Sequence, residues 1–180
     1  GILPDGVGGT MPEDAVVRQP VRGDDGRERI KLSYRIPFAS DYRHRLAERY
    51  ADIVLTQARR HDIPPSLILA VMETESHFNP RARSSVPAFG LMQLVPVSGA
   101  RDAYHFLHGS PRIVDADFLY DPVNNIEMGA AYLKLLSGRY LSAIDDPGSR
   151  LFAVIAAYNT GAGNVARAFS GTTRDRKSVV

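Results

Sequence analysis

Apolar residues along the chain recur at two different periods, and the change falls near Pro37. Residues 1–26 are rich in Gly, Pro and Asp, sustain no period and are expected to be extended or loop. Residues 27–36 alternate, with Ile30, Leu32, Tyr34 and Ile36 on one face and charged residues on the other, the pattern of a half-buried strand. A strand needs a partner, and no second strong strand pattern follows. It can pair with part of 1–26, pack on the helices, or close an upstream domain that is largely missing here; the last is the preferred reading. Beyond Pro37 the period becomes helical: Tyr42, Leu46, Tyr50, Ile53, Val54 and Ala58 predict helix over 41–61. Asp62-Ile-Pro-Pro-Ser66 breaks that run, with Ser66 as the expected N-cap of the next helix, which Asn79-Pro80 closes. A loop over 81–89 leads to Gly90-Leu-Met-Gln93, and Pro96 interrupts the following segment. Asp121-Pro122 and Asp146-Pro147 each pair an N-cap with a proline at the first helical position. They predict helices to about Tyr140 and Tyr158. Gly161-Ala-Gly163 then turns the chain into a short helix ending near Phe169. The fold class is mainly α: a helical unit over 41–170, preceded by an extended segment, 1–40, and followed by a tail, 171–180.

One of these helices carries chemistry. Ile68, Val71, Met72 and Glu75 are spaced by three, four and seven, and so share one stripe, whereas Glu73 points to nearly the opposite side and is expected to be solvated. A carboxyl lodged against Ile, Val and Met loses hydration, which disfavours its charged form and raises its pKa. A Glu so placed can remain protonated near neutral pH and act as a general acid.

Composition narrows the function classes. At 180 residues, with 44 % hydrophobic and 23 % charged positions, the chain has the balance of a soluble globular protein. A net charge of +2 gives no strong electrostatic case for nucleic acid. The absence of cysteine excludes thiolate catalysis, Cys-ligated zinc and disulfides. No apolar run approaches the ~18 residues that span a bilayer. A start at Gly1-Ile-Leu-Pro4 rather than Met is expected of a processed or excised piece of something longer. His105 and His108 are three apart, and His77 lies two residues from Glu75; neither spacing forms a zinc motif, so no metal and no cofactor are expected. Asp115, Asp117 and Asp121 fall in a loop and at a helix start, where solvated or capping roles are expected.

Three motifs stand in order: Glu75-Ser76 with Phe78-Asn79-Pro80, then Gly90-Leu91-Met92-Gln93, then Ala157-Tyr158-Asn159 with Gly161-Ala-Gly163-Asn164-Val165. Each alone is weak, but the series at domain-scale spacing resembles the catalytic domain of soluble-type lytic transglycosylases, whose fold is related to goose-type lysozyme. Ile68-Leu-Ala-Val-Met72, Phe118-Leu-Tyr-Asp-Pro122, Asn125-Ile126 and Gly129 strengthen the resemblance and point to a membrane-bound murein branch of that family.

The resemblance implies cleavage of the β-1,4 bond between N-acetylmuramic acid and N-acetylglucosamine in peptidoglycan without water, leaving a 1,6-anhydro end. Glu75 matches the family's catalytic Glu. Tyr158 matches a Tyr whose hydroxyl lies near it and would orient its carboxyl group. Ser84, Met92 and Gln93 match groove positions expected to contact sugar hydroxyls and acetamido groups. Asn159 is expected to brace its turn, Ser76 to support the helix end, and Gly90 to allow close backbone approach. The implied partner is the glycan strand, bound by a monomer. The implied location is the periplasmic side of a Gram-negative outer membrane through a lipid anchor, for which this chain has no Cys. Two departures are evident. Val86-Pro87-Ala88-Phe89 stands where the family commonly has a small pair, and no tyrosine follows Tyr158, although related domains carry another that helps close the site. A lysozyme-like hydrolase or a non-catalytic peptidoglycan-binding module on the same fold are the alternatives.

Overall fold

A computed structural model describes residues 16–34 and 42–170. Readings that fell on 1–15, 35–41 and 171–180, including the tail that follows Phe169, lie outside the described residues. The chain divides into two compact units, Gly1–Arg43 and His44–Val180.

In the first unit, β1 (Val16–Arg22) and β2 (Glu28–Tyr34) form an antiparallel hairpin in the register Val16↔Tyr34 to Arg22↔Glu28. The partner of the alternating strand is therefore local, part of 1–26, and no upstream strand is required to pair it. The turn supplies the reason: Gly23 N–H donates to Arg27 O at 2.9 Å, Gly26 takes φ +77°, and Asp25 bonds Arg29 at 2.6 Å. The half-burial expected from the alternation is not seen at Ile30, which is 68 % exposed.

The helices are α1 (Tyr42–Glu48), which begins at the end of the first unit, and, in the second, α2 (Ala51–His61), α3 (Pro65–Ser76), α4 (Arg101–His108), α5 (Ala116–Tyr120), α6 (Pro122–Leu135), α7 (Pro147–Thr160) and α8 (Ala162–Ser170). The run predicted as one helix over 41–61 is two, because the chain turns at Tyr50, whose N–H bonds Ala47 O at 3.1 Å. Ser66 is not an N-cap; α3 starts at Pro65, whose fixed φ suits a first helical position, and Ser66 lies inside the first turn. Its end also comes earlier than Asn79-Pro80. His77 and Phe78 take left-handed φ of 51° and 61°, and this reversal returns Phe78 to the core. Pro96 opens a π-helical turn, Pro96–Ala100, that feeds α4. Asp121 and Asp146 cap α6 and α7 as expected, accepting from Asn124 N–H and Ser149 N–H, and Asp115 does the same for α5 through Phe118 N–H.

α6 is the axis of the unit. Asn125, Ile126, Met128, Gly129, Ala130, Ala131, Leu133 and Leu135 are buried around its whole circumference, the mark of a helix enclosed by others, and it packs against α2, α3, α4 and α5. Two apolar clusters flank it. One joins α2, α3, α6 and α7 through Val54, Ile68, Met72, Leu133 and Val154; the other holds Phe89, Leu94, Ala103, Leu119 and Met128. Each fully buried aliphatic side chain of this kind contributes about 1.5–3 kcal/mol. Tyr132 and Tyr158 pack against both clusters.

Candidate active site

Glu75 lies in the last turn of α3, partly exposed, and among the described residues its carboxyl has no hydrogen-bond or ion-pair partner. Burial pushes its pKa above the ordinary value. The partial negative charge at a helix C-terminus acts in the same direction, since it also disfavours a carboxylate. Glu73 is not the fully solvated residue expected; it too is partly buried.

The Gly90-Leu-Met-Gln93 segment is a tight turn closed by reciprocal bonds between Phe89 and Leu94, both 3.1 Å. Gly90 has φ +77°, and a Cβ there would come within 2.2 Å of Leu119 O and 2.3 Å of Asn125 Nδ2. The glycine is therefore needed on the interior side of the turn. Gln93 also takes a left-handed φ, 46°, held by its own Nε2 donating to Ala82 O at 3.1 Å and Gly90 O at 2.9 Å. Its amide nitrogen thus shapes the turn.

Met92 does not line a groove with its side chain. It is 0 % exposed, and its Sδ occupies the space where a Cβ on Gly129 would stand, 2.1 Å away. Its backbone makes the contacts at this turn. Tyr158 Oη donates to Met92 O at 2.8 Å, rather than to the Glu75 carboxyl as expected. Tyr158 remains electrostatically linked to Glu75: burial first, then the charge of Glu75 and of Tyr132, hold its hydroxyl well above the usual range. Tyr132 and Tyr158 pack ring to ring at 5.6 Å.

Ser76 does more than finish the helix. Buried, its Oγ donates to Met72 O at 3.0 Å and to Leu91 O at 2.7 Å, tying the residue after Glu75 to the turn. Ser84 is exposed, and its Oγ bonds Val86 O and accepts from Ala88 N–H at 3.3 Å, so it organises its own loop. Asn159 is exposed, and the turn after α7 is braced by Asn164 Nδ2 on Thr160 O at 2.7 Å. The structure thus brings Glu75, Ser76, Met92 and Tyr158 together and leaves Ser84 and Asn159 in exposed positions of their own. His77 caps α3, and His105 and His108 lie in the last turn of α4, where His108 stacks on Tyr104. A hollow of about 460 Å³ lined by Arg101, Asp102, His105, Pro111, Arg112 and Ile113 does not include Glu75.

A buried residue not singled out from the sequence for this site is Asn125. Its Nδ2 donates to Phe89 O at 2.9 Å and Leu119 O at 2.8 Å, and its Oδ1 accepts Met92 N–H at 2.8 Å. An Asn at a helical position just before Ile126, three residues after the proline of an Asp-Pro cap, was the available signal.

The sequence pattern of the transglycosylase SLT domain matches residues 52–180, which contain this whole constellation. The chain belongs to that family. The SLT chain is 40 % identical over 157 residues to membrane-bound lytic murein transglycosylase C of Klebsiella pneumoniae and 41 % identical to that of Salmonella arizonae, covering 87 % of this chain and 43 % of each relative. It therefore spans less than half the length of the curated relatives it matches. Among solved structures it resembles an inactive Glu-to-Gln variant of lytic transglycosylase Slt from Pseudomonas aeruginosa, with a TM-score of 0.59 and 31 % identity, over 73 % of this chain and 20 % of that one. It also resembles the 70 kDa soluble lytic transglycosylase of Escherichia coli, with a TM-score of 0.55 and 32 % identity, over 71 % and 20 %. These likenesses agree with the mainly helical, lysozyme-like architecture. Among the described residues no helix is long and apolar enough to cross a membrane.

Proposed function

We propose that this SLT domain cleaves the MurNAc-β-1,4-GlcNAc bond of peptidoglycan without water, with Glu75 as its acid and then its base. The observation that carries the reading is a carboxyl that no donor or cation among the described residues stabilises, its pKa raised by burial, yet reachable from solvent. Protonated Glu75 donates its proton to the glycosidic oxygen as the C1–O bond breaks and the GlcNAc side departs. The positive charge left at C1 is taken up by the carbonyl oxygen of the muramic acid's own N-acetyl group. Glu75, now ionised, accepts the proton of the C6 hydroxyl; O6 bonds to C1, the acetamido group is released, and the acid is restored. One carboxyl suffices, whereas hydrolysing glycosidases usually place two at a defined separation. The names of the relatives, all lytic transglycosylases, support the substrate class, and the inactivity of a Glu-to-Gln relative supports dependence on a glutamate.

In this scheme Tyr158 borders Glu75 from its bond to Met92 O, and its oxygen lone pairs remain free to accept from a sugar hydroxyl. Gln93 offers its amide oxygen to the same purpose, Met92 contributes through its backbone, and Ser84 and Asn159 are rim contacts. The relatives' name, membrane-bound, also supports an envelope setting; a monomer held at the outer membrane on its periplasmic side is part of the proposal.

The test is mass spectrometry of fragments released from purified sacculi. Anhydro-ended muropeptides from wild type, and none from Glu75→Gln despite retained sacculus binding, are the expected result. Reducing ends would identify a hydrolase, and binding without release a peptidoglycan-binding module; either refutes the proposal.

A further inference from the structure

Asn125 is 0 % exposed, and its amide is used from both ends: both Nδ2 bonds go to carbonyls, of Phe89 and Leu119, and Oδ1 takes the Met92 N–H. Met92 is then held at its other end, where its carbonyl accepts the Tyr158 hydroxyl. One step earlier in the turn, Leu91 O accepts Ser76 Oγ, from the residue that follows Glu75. A two-residue stretch of backbone therefore makes bonds to α3, α6 and α7, and those to α3 and α6 are buried. Gly90 lies directly against the Asn125 amide, with no room for a Cβ. The turn is moulded on this side chain.

We propose that Asn125 is a positioning residue for the reaction. By holding the Met92 peptide it sets the carbonyl that pins Tyr158, and through Leu91 and Ser76 it sets the end of α3 that presents Glu75. The inference rests on the lytic reading of the site. Without the amide, Leu119 O and Met92 N–H lose this buried partner and Phe89 O keeps only Leu94 N–H, and buried groups that lose a partner are relieved only by moving the backbone toward other partners. Any such movement displaces the Tyr158 hydroxyl relative to Glu75 while leaving the exposed rim of the site in place.

Asn125→Asp tests this, because it keeps the shape and the acceptor for Met92 N–H but, when ionised, has no proton to give Phe89 or Leu119. Initial rates of fragment release from sacculi are measured against pH alongside sacculus affinity and melting temperature. The expected result is a loss of about tenfold or more in kcat, the size produced by leaving a buried hydrogen-bonding group unpaired, with KM unchanged. Partial recovery is expected at acidic pH, where the neutral carboxylic acid regains one donor; Asn125→Ala shows no such recovery. In a Tyr158→Phe background the same substitution costs much less, because the route through Met92 is already broken. A folded Asn125→Asp protein with wild-type kcat and pH profile, or one equally damaging with and without the Tyr158 hydroxyl, overturns the proposal. So does failure of both variants to fold, which would make Asn125 a stability residue alone. Wild-type protein that releases no fragments overturns the lytic reading instead, and this inference falls with it.

Discussion

Two carboxyl–tyrosine neighbourhoods in the helical unit are built on opposite plans. Asp102 lies in the first turn of α4, accepts the Tyr140 hydroxyl at 3.0 Å and pairs with Arg101 at 3.5 Å. A helix N-terminus, a donor and a cation all suit a negative charge. Tyr140 is pushed up to about 12 there, by burial and then by the charge and hydrogen bond of Asp102. Glu75 lies in the last turn of α3, with no donor and no cation bonded to it among the described residues, and its tyrosine donates its hydrogen bond to Met92 O instead. The two sites use the same pair of residue types to opposite ends. One neutralises a charge with bonds; the other withholds bonds, which on the proposed reading leaves the proton available for transfer. A tyrosine beside a carboxylate is therefore no signature of catalysis, and which acceptor the hydroxyl chooses is the informative feature.

The sharpest way to break this comparison is to neutralise each carboxyl in turn. Glu75→Gln is expected to lower fragment release from sacculi by about 10²–10⁴-fold, the usual contribution of a general acid. Asp102→Asn keeps an oxygen for Tyr140 and is expected to leave the rate within about twofold, the scale of substitutions away from special features. Equal losses at the two positions would show that the contrast in bonding has no functional content.

The backbone beneath the sites provides the next test. Gly90→Ala places a Cβ 2.2 Å from a backbone oxygen at φ +77°, so neither the side chain nor the turn can yield cheaply. A loss of about 3 kcal/mol or more is expected by urea unfolding, from strain and overpacking together. Gly161→Ala, also at positive φ, meets nothing within 4 Å and should cost about 1 kcal/mol. Similar costs at the two glycines would mean that the turn at Gly90 is not moulded as described.

Much of this was legible along the chain. The Asp-Pro starts of α6 and α7 were visible because an N-cap and a proline act within four residues, and Glu75 could be placed because helical phase is a local property. What failed was decided at longer range. The break at Tyr50 and the reversal at His77-Phe78 occur where buried residues must meet the core, and left-handed φ at His77, Phe78 and Gln93 has no glycine to announce it. Pairing of β2 with part of 1–26 was one of the open readings but not the preferred one, because the residues of β1, Val16–Arg22, include a proline and lack clean alternation. At the site, the hydrogen-bond partners differ from those expected. Met92 acts through its carbonyl, Gln93 spends its nitrogen on Ala82 and Gly90, and Asn125 reaches Met92 across 33 positions. Sequence spacing identifies which side chains converge on a turn, but not which backbone group each one bonds.

The tyrosines give a smaller contrast of the same kind. Tyr158→Phe leaves Met92 O without its donor in the interior, so stability should fall by about 1–2 kcal/mol and turnover by about tenfold as the turn relaxes. Tyr140→Phe removes a bond to a carboxylate that keeps Arg101, and is expected to cost about 1 kcal/mol with turnover unchanged. Thermal unfolding and sacculus assays on the two variants separate these outcomes; an unchanged rate in Tyr158→Phe would reduce Tyr158 to packing.

The smallest effect tests the proton itself. A carboxyl whose pKa is raised in the folded state binds its proton more tightly there than in the unfolded chain, so stability falls as pH rises between the two values. For Glu75 that window opens near the unfolded Glu value of about 4.3 and closes at the raised folded value. Glu75→Gln has no such proton to lose. The variant should therefore match wild type at about pH 4 and become the more stable protein at neutral pH, by less than about 1 kcal/mol because the carboxyl is partly exposed and screened. Melting curves of the two proteins across pH 4–8 measure this directly. If wild type instead gains on the variant as pH rises, Glu75 is stabilised in its charged form, and the distinction from Asp102 disappears.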